Sequence, residues 1–193
     1  MRFIFVLAAL LLPAEAQVHE IGLTLGELVS QHRTGLTIGK GVALQANYGH
    51  RLLEWRFASL YGEVHLLANP QRQVASSNLS LTRDVATLYV TPGARLKFRP
   101  HGPISPFVVA GGGYALFEQS TTLLSGASNP APREINRGVF DYGGGVDLRG
   151  WKWVGFRAEV RDFYSGSPAY NLPFASGGQH NVVLGGGFLL HFK

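Results

Sequence analysis

Val182-Val183-Leu184-Gly185-Gly186-Gly187-Phe188-Leu189-Leu190-His191-Phe192, one residue short of the last position, alternates almost without fault. Val182, Leu184, Gly186, Phe188, Leu190 and Phe192 fall on one side, and Val183, Gly185, Gly187, Leu189 and His191 on the other. A period of two belongs to a strand whose two faces meet different surroundings. Any architecture for the chain has to accommodate this strand at its end.

Working back from it, the same period recurs between turn signals and gives seven more strands. They are His19–Leu28, Leu36–Tyr48, Glu54–Ala68, Val85–Phe98, Pro106–Phe117, Gly138–Leu148 and Trp153–Tyr164. In the seventh, Val154, Phe156, Ala158 and Val160 oppose Gly155, Arg157, Glu159 and Arg161. In the fourth, Pro92 conflicts with ladder pairing unless a bulge sits there. No stretch keeps a helical period, so the chain is all-β.

The connections alternate in length. Those after strands two, four and six are short: Gly49–Leu53, Arg99–Ser105 and Arg149–Lys152. Those after strands three, five and seven are long and polar: Asn69–Asp84, Glu118–Arg137 and Ser165–Gln179. Short turns on one rim and long loops on the other fit an up-and-down barrel across a membrane, with both termini on the short-turn rim.

Residues 1–16 read as a cleaved export signal. Arg2 precedes the apolar run Phe3–Leu12, and Ala14-Glu15-Ala16 fits a small-x-small cleavage site before Gln17. Residues 17–193 then form one barrel domain. Its basic residues are scattered, which leaves nucleic-acid binding without support, and the net charge is +5. The chain has no cysteine for disulfide staples, so closure of the sheet must supply stability. No later segment is apolar for long enough to form a spanning helix.

Periodicity alone leaves open which face points inward. A soluble lipocalin-like barrel would line its cavity with the apolar set and bind an apolar ligand there; a membrane barrel reverses this. Aromatic residues near the strand ends favour the membrane version. Tyr48, Phe98, Phe107, Trp151, Trp153 and Phe192 lie toward the short-turn rim, and Phe117, Phe140, Tyr142 and Tyr164 toward the other. Lys40 and Asp162 fall on the nominally apolar face and fit only near an interface. The fold expected is an eight-stranded antiparallel up-and-down transmembrane β-barrel.

On the segment Pro106-Phe107-Val108-Val109-Ala110-Gly111-Gly112-Gly113-Tyr114, the Phe140–Leu148 strand and Gly185-Gly186-Gly187-Phe188, the chain resembles the small outer-membrane β-barrel family, of the outer membrane protein A-like and X-like kind. The resemblance covers the mature chain and implies residence in a cell outer membrane. It also implies assembly by the barrel-assembly machinery through a terminal aromatic, here Phe192, with outer-membrane lipids as partners. Larger relatives carry a peptidoglycan-binding domain after the barrel; the chain stops at the eighth strand, so no periplasmic anchoring role is expected.

Two constellations bear on chemistry. Glu63, Arg95, Lys97, Asp141, Asp147, Arg149, Arg157, Glu159 and Arg161 share the polar face and would meet inside the lumen. Eight strands leave an interior filled by side chains, so these charges are expected to plug it, with a minor narrow pore as the alternative. The second constellation is histidine. Some relatives deacylate lipid A through a Ser/His/acid arrangement near the chain's end. Here His180 has no serine two residues on, and Ser176 precedes it by four. With no nucleophile, base and orienting group in view, no enzyme is expected. No histidine pair has ligand spacing, and no cofactor or metal is implied. None of the glycine triplets precedes a helix or carries a phosphate-loop lysine, so they read as bends. The long loops remain as candidates for surface interaction with an unknown partner. Thr121-Thr122-Leu123-Leu124 and Tyr170-Asn171-Leu172-Pro173-Phe174 are expected to expose apolar groups, and Arg72, Arg83, Arg133 and Arg137 to line the outer rim. The function expected is a non-enzymatic, structural or surface-interaction barrel.

Overall fold

A computed structural model of the chain describes residues 19–30, 36–151, 153–166, 168, 170–171 and 177–192. The expected export signal and its cleavage pair, Ala16 and Gln17, lie outside the described residues. The elements are β1 (His19–Ser30), β2 (Thr37–Ile38), β3 (Gly41–Glu54), β4 (Ala58–Ala75), β5 (Asp84–Phe98), β6 (Ile104–Gln119), β7 (Glu134–Arg149), β8 (Val154–Gly166) and β9 (Gly178–Phe192). All pairings are antiparallel. β1 pairs with β3, each later strand with its successor, and β9 returns to β1, from His19↔Phe192 to Ser30↔Asn181. Eight strands therefore close a barrel with no free edge, the only kind of sheet that satisfies every backbone group inside a bilayer.

Several boundaries differ from the periodic reading. The expected second strand, Leu36–Tyr48, is broken: Ile38 belongs to β2, which pairs with the far end of β4 at Val74. β3 continues through the expected turn at Gly49–Leu53 to Glu54, and the chain reverses at 55–57. β4 runs past Asn69-Pro70 to Ala75 across an irregularity between Asn69 and Arg72. Pro70 and Gln71 leave the ladder there. The irregularity resets the in–out parity, so Arg72 and Val74 face the lumen, the re-aiming that bulges provide. Pro92 needs no bulge. Its ladder to β6 skips from Val90↔Tyr114 to Gly93↔Gly111 without a change of register. Opposite that gap, a Cβ on Gly113 would collide with the Val90 carbonyl, so the close approach admits only glycine.

The faces are inverted relative to a soluble barrel. Arg95, Arg157 and Arg161 are among the largest fully buried side chains, while Leu25, Leu184 and Phe188 are exposed on the outside at 59%, 67% and 58%. An apolar belt around a charged interior is stable only when lipid surrounds it, so the barrel crosses a membrane and the ligand-binding soluble barrel is not favoured. Two residues assigned to the aromatic girdles are inside instead: Phe107 is 2% exposed and Phe117 is fully buried in the lumen. Tyr48, Phe98, Trp151, Trp153, Phe192, Phe140, Tyr142 and Tyr164 are exposed, joined at the short-turn rim by Trp55 and Phe57.

Candidate functional site

The lumen is filled by two unlike halves. Nearer the short turns, the strands project Glu20 (β1), Glu63 (β4), Arg95 and Lys97 (β5), Asp141 and Asp147 (β7), and Arg157, Glu159 and Arg161 (β8), all buried. Lys97 Nζ donates to Glu20 Oε1 at 2.6 Å and lies 2.7 Å from Asp147 Oδ2. Arg95 bridges Glu20 Oε2 at 2.6 Å and Glu63 Oε2 at 2.7 Å. Arg157 grips Asp147 with two donors, at 2.7 and 2.9 Å, a fork that fixes orientation as well as charge. Arg161 reaches Glu63, Asp141 (3.1 Å) and Glu159 (3.2 Å). Aromatic faces complete the packing: Arg95 lies 4.7 Å from the centre of the Tyr61 ring, and Arg157 4.7 Å from that of Phe107. Phe107 fits because position 145 is glycine; a Cβ there would stand 2.7 Å from its Cζ.

Eight of the nine charges assigned to this network from the sequence therefore meet in the lumen. Arg149 does not. It is exposed at the strand end and donates to the carbonyls of His101 (3.2 Å) and Pro100 (3.5 Å). Glu20, missing from the assignment, joins three cations. Its parity with Gly22 and Thr24 on β1 was the available signal.

The half nearer the long loops is mostly apolar. Leu28, Leu67, Val85, Tyr89, Phe117, Phe163 and Val183 form one cluster, with Tyr89 tilted on Phe163 at 5.0 Å and edge-on to Phe117 at 5.9 Å. Arg72 lies in this half, 1% exposed, instead of lining the outer rim. It donates to Ser30 and, at 3.5 Å, to Asn181 Oδ1, while its Nε and Nη2 have no hydrogen-bond partner among the described residues.

The described loop residues are bonded to one another over the outer mouth. Thr82 bridges Leu123, Leu124 N–H donates to Leu81 O at 2.9 Å, and Ser125 N–H to Leu79 O at 3.0 Å. Asn171 Nδ2 donates to Asn129 Oδ1 at 2.9 Å and to Ser80 O at 3.2 Å, tying three loops together. Tyr170 is fully buried and Leu124 packs on the core where exposure was expected, and with the fully buried Leu81 they roof the barrel. Leu172, Pro173 and Phe174 lie outside the described residues. Arg83 pairs with Asp84, and Arg133 with Glu118.

One cluster on the outer face escaped the sequence reading. His180 Nδ1–H donates to Asp162 Oδ2 at 2.6 Å, Tyr142 O–H donates to the same oxygen at 2.9 Å, and His180 tilts on Tyr164 at 4.8 Å. Register places Tyr142 opposite Asp162 and His180 opposite Tyr164, with His180 reaching Asp162 diagonally, a juxtaposition that register alone reveals. A carboxylate orients a histidine here, yet no serine or threonine is hydrogen-bonded to that histidine among the described residues; Ser176 lies outside them. The arrangement also accounts for Asp162 on an apolar face, as Glu27, 3.2 Å away, accounts for Lys40.

No family model matches the sequence, and no curated protein matches it. Solved structures do. Neisserial surface protein A superposes with a TM-score of 0.60 at 14% identity, over 90% of this chain and 97% of that one. The outer membrane enzyme PagL superposes with a TM-score of 0.51 at 16% identity, over 90% of this chain and 99% of that one. At such identities the likeness is one of fold. Closed by eight antiparallel strands, apolar outside and charged within, this chain has the fold of the small outer-membrane β-barrels.

Proposed function

We propose that the protein is a non-enzymatic outer-membrane barrel whose sealed scaffold presents its interlocked loops for surface interaction. The observation that carries this reading is the loop roof: three loops hydrogen-bonded to one another over a lumen already filled at both levels. A roof with its own hydrogen bonds presents a fixed outer surface, which suits recognition. One structural neighbour is named a surface protein and another an enzyme, so the fold accommodates both roles. The non-enzymatic reading is supported by the His180–Asp162 pair, to whose histidine no serine or threonine is hydrogen-bonded among the described residues.

In this reading outer-membrane lipids surround the belt, and Phe192, exposed and stacked on His19 at 5.4 Å, serves as the assembly machinery's terminal aromatic. The test compares cells carrying the wild-type barrel with cells carrying a barrel whose residues 120–133 are scrambled. Both are checked for heat-dependent gel mobility and then assayed for attachment to a panel of surfaces. Attachment lost while the mobility shift persists supports the reading. Attachment unchanged by the scramble, or absent from wild-type cells, sinks the surface role. Ester hydrolysis by purified wild-type barrel that His180→Ala abolishes sinks the non-enzymatic part.

A further inference from the structure

The barrel's charge is divided unequally between its two rims. Among the described residues, the lumen holds five carboxylates and, with Arg72, five cations, so it contributes no net charge. The long-loop rim carries Lys40, Arg83, Arg133 and Arg137 against five carboxylates. The first three of those cations are salt-bridged, to Glu27, Asp84 and Glu118, and Arg137 donates to Asn136 O at 2.9 Å. Among the described residues, the short-turn rim carries Arg51, Arg56, Arg99 and Arg149 against Glu54 alone. Glu54 is occupied by Arg51 at 2.6 Å and by His101 at 2.6 Å. Arg56 and Arg99 are exposed, and neither side chain has an ion pair or hydrogen bond among the described residues.

These cations form a continuous arc because the turns are laced together. Arg99 N–H donates to Phe57 O at 2.8 Å, joining the turn at 55–57 to the one at 99–103. Arg149 N–H donates to Pro103 O at 2.9 Å, joining that turn to the end of β7. The same arc holds all three tryptophans of the chain, Trp55, Trp151 and Trp153, at 45%, 81% and 70% exposure. Indoles of this exposure settle at the level of lipid headgroups, which puts the unpaired guanidiniums within reach of phosphates.

We propose that this arc is a docking collar for anionic phospholipid headgroups of the periplasmic leaflet, seated on Arg56 and Arg99. Charge complementarity selects the occupant. A rim whose described residues carry three net positive charges and two unpaired arginines attracts a headgroup with net negative charge more strongly than a zwitterionic one. The aromatic neighbours then hold the headgroup's glycerol level at a fixed depth.

The placement of every tryptophan on this rim makes the test direct. The full chain is folded into phosphatidylcholine vesicles that contain brominated phosphatidylglycerol or brominated phosphatidylcholine at equal mole fraction, and tryptophan quenching is compared. The expected result is a preference for the brominated anionic lipid of roughly fivefold, the attraction that about one basic residue contributes near a charged surface. The combined Arg56→Gln, Arg99→Gln and Arg149→Gln variant is expected to quench equally with both lipids. The corresponding lysine variant, which keeps the charge, is expected to retain the preference, and gel mobility confirms that each variant is folded. Equal quenching of the wild-type protein by the two lipids overturns the proposal, as does a preference that survives the glutamine variant. Inorganic phosphate at matched ionic strength is expected to leave the preference intact; its loss would overturn the lipid assignment in favour of a free-phosphate site.

Discussion

Glu20 receives Lys97 and Arg95 at 2.6 Å each and stands 3.7 Å from Arg157, with 1% of its surface exposed. Removing one member of a buried set strands the others, and that costs about 3–5 kcal/mol. Glu20→Gln is therefore expected to lower the unfolding free energy of the micelle-folded barrel, measured by urea denaturation, by that amount. Lys40→Gln, at a pair whose side chains are 65% and 54% exposed, is expected to change it by less than about 1 kcal/mol. Equal effects would mean that water reaches the lumen charges. Arg72 provides the opposite case. It is buried without a carboxylate partner among the described residues, so Arg72→Met is expected to stay within about 1 kcal/mol of wild type by the same denaturation, because an apolar chain of similar length replaces a costly ion. A loss as large as that of Glu20→Gln would show instead that Arg72 balances the excess carboxylate below it. At this scale the sequence was legible wherever strand parity held, which placed Arg95, Arg157 and Arg161 correctly. It misplaced Arg149, because parity does not say where a side chain at a strand end will turn.

Strands were legible from their period, and their ends were not, because proline and asparagine resemble loop signals even where a ladder persists around them. Asn69-Pro70 marks the end of a strand by composition, yet β4 absorbs Pro70 by leaving it unpaired and continues to Ala75. That irregularity carries Arg72 and Val74 inward and gives β2 an edge to pair with. The roof itself was invisible in the sequence. Its cohesion comes from backbone bridges such as Thr82–Leu123 and from side chains such as Asn129 that have no periodic pattern. Asn129 Nδ2 donates to Ser120 O at 2.8 Å, and its Oδ1 receives Asn171. Asn129→Ala removes both links. Amide exchange in residues 120–129 is expected to quicken roughly tenfold, the equivalent of about 1.4 kcal/mol and within the cost of losing such bonds. The mobility shift of the barrel is expected to stay as it was. Unchanged exchange would show that the loops close the mouth without holding one another.

At the scale of the whole molecule, the two fillings of the lumen act as seals in series. The half nearer the short turns is closed by ion pairs whose removal would leave polar space that water enters. The other half is closed by Tyr89, Phe117 and Phe163, whose packed rings cannot replace an ion's hydration shell. A path needs both to open. The Glu20→Ala, Lys97→Ala and Asp147→Ala variant, which removes one net negative charge, is therefore expected to give no unitary current in a planar bilayer, because the aromatic half still blocks it. Tyr89→Ala with Phe163→Ala is likewise expected to be silent, because the charge network still spans the lumen. Only the two sets combined are expected to produce discrete steps, with circular dichroism confirming that the strands persist. Current from the charge-depleted variant alone would show that the apolar half is a passive lining, and the narrow-pore reading would regain its footing. Current from neither set nor their combination would place the decisive barrier in the loop roof, where the buried Leu81 and Tyr170 sit above both.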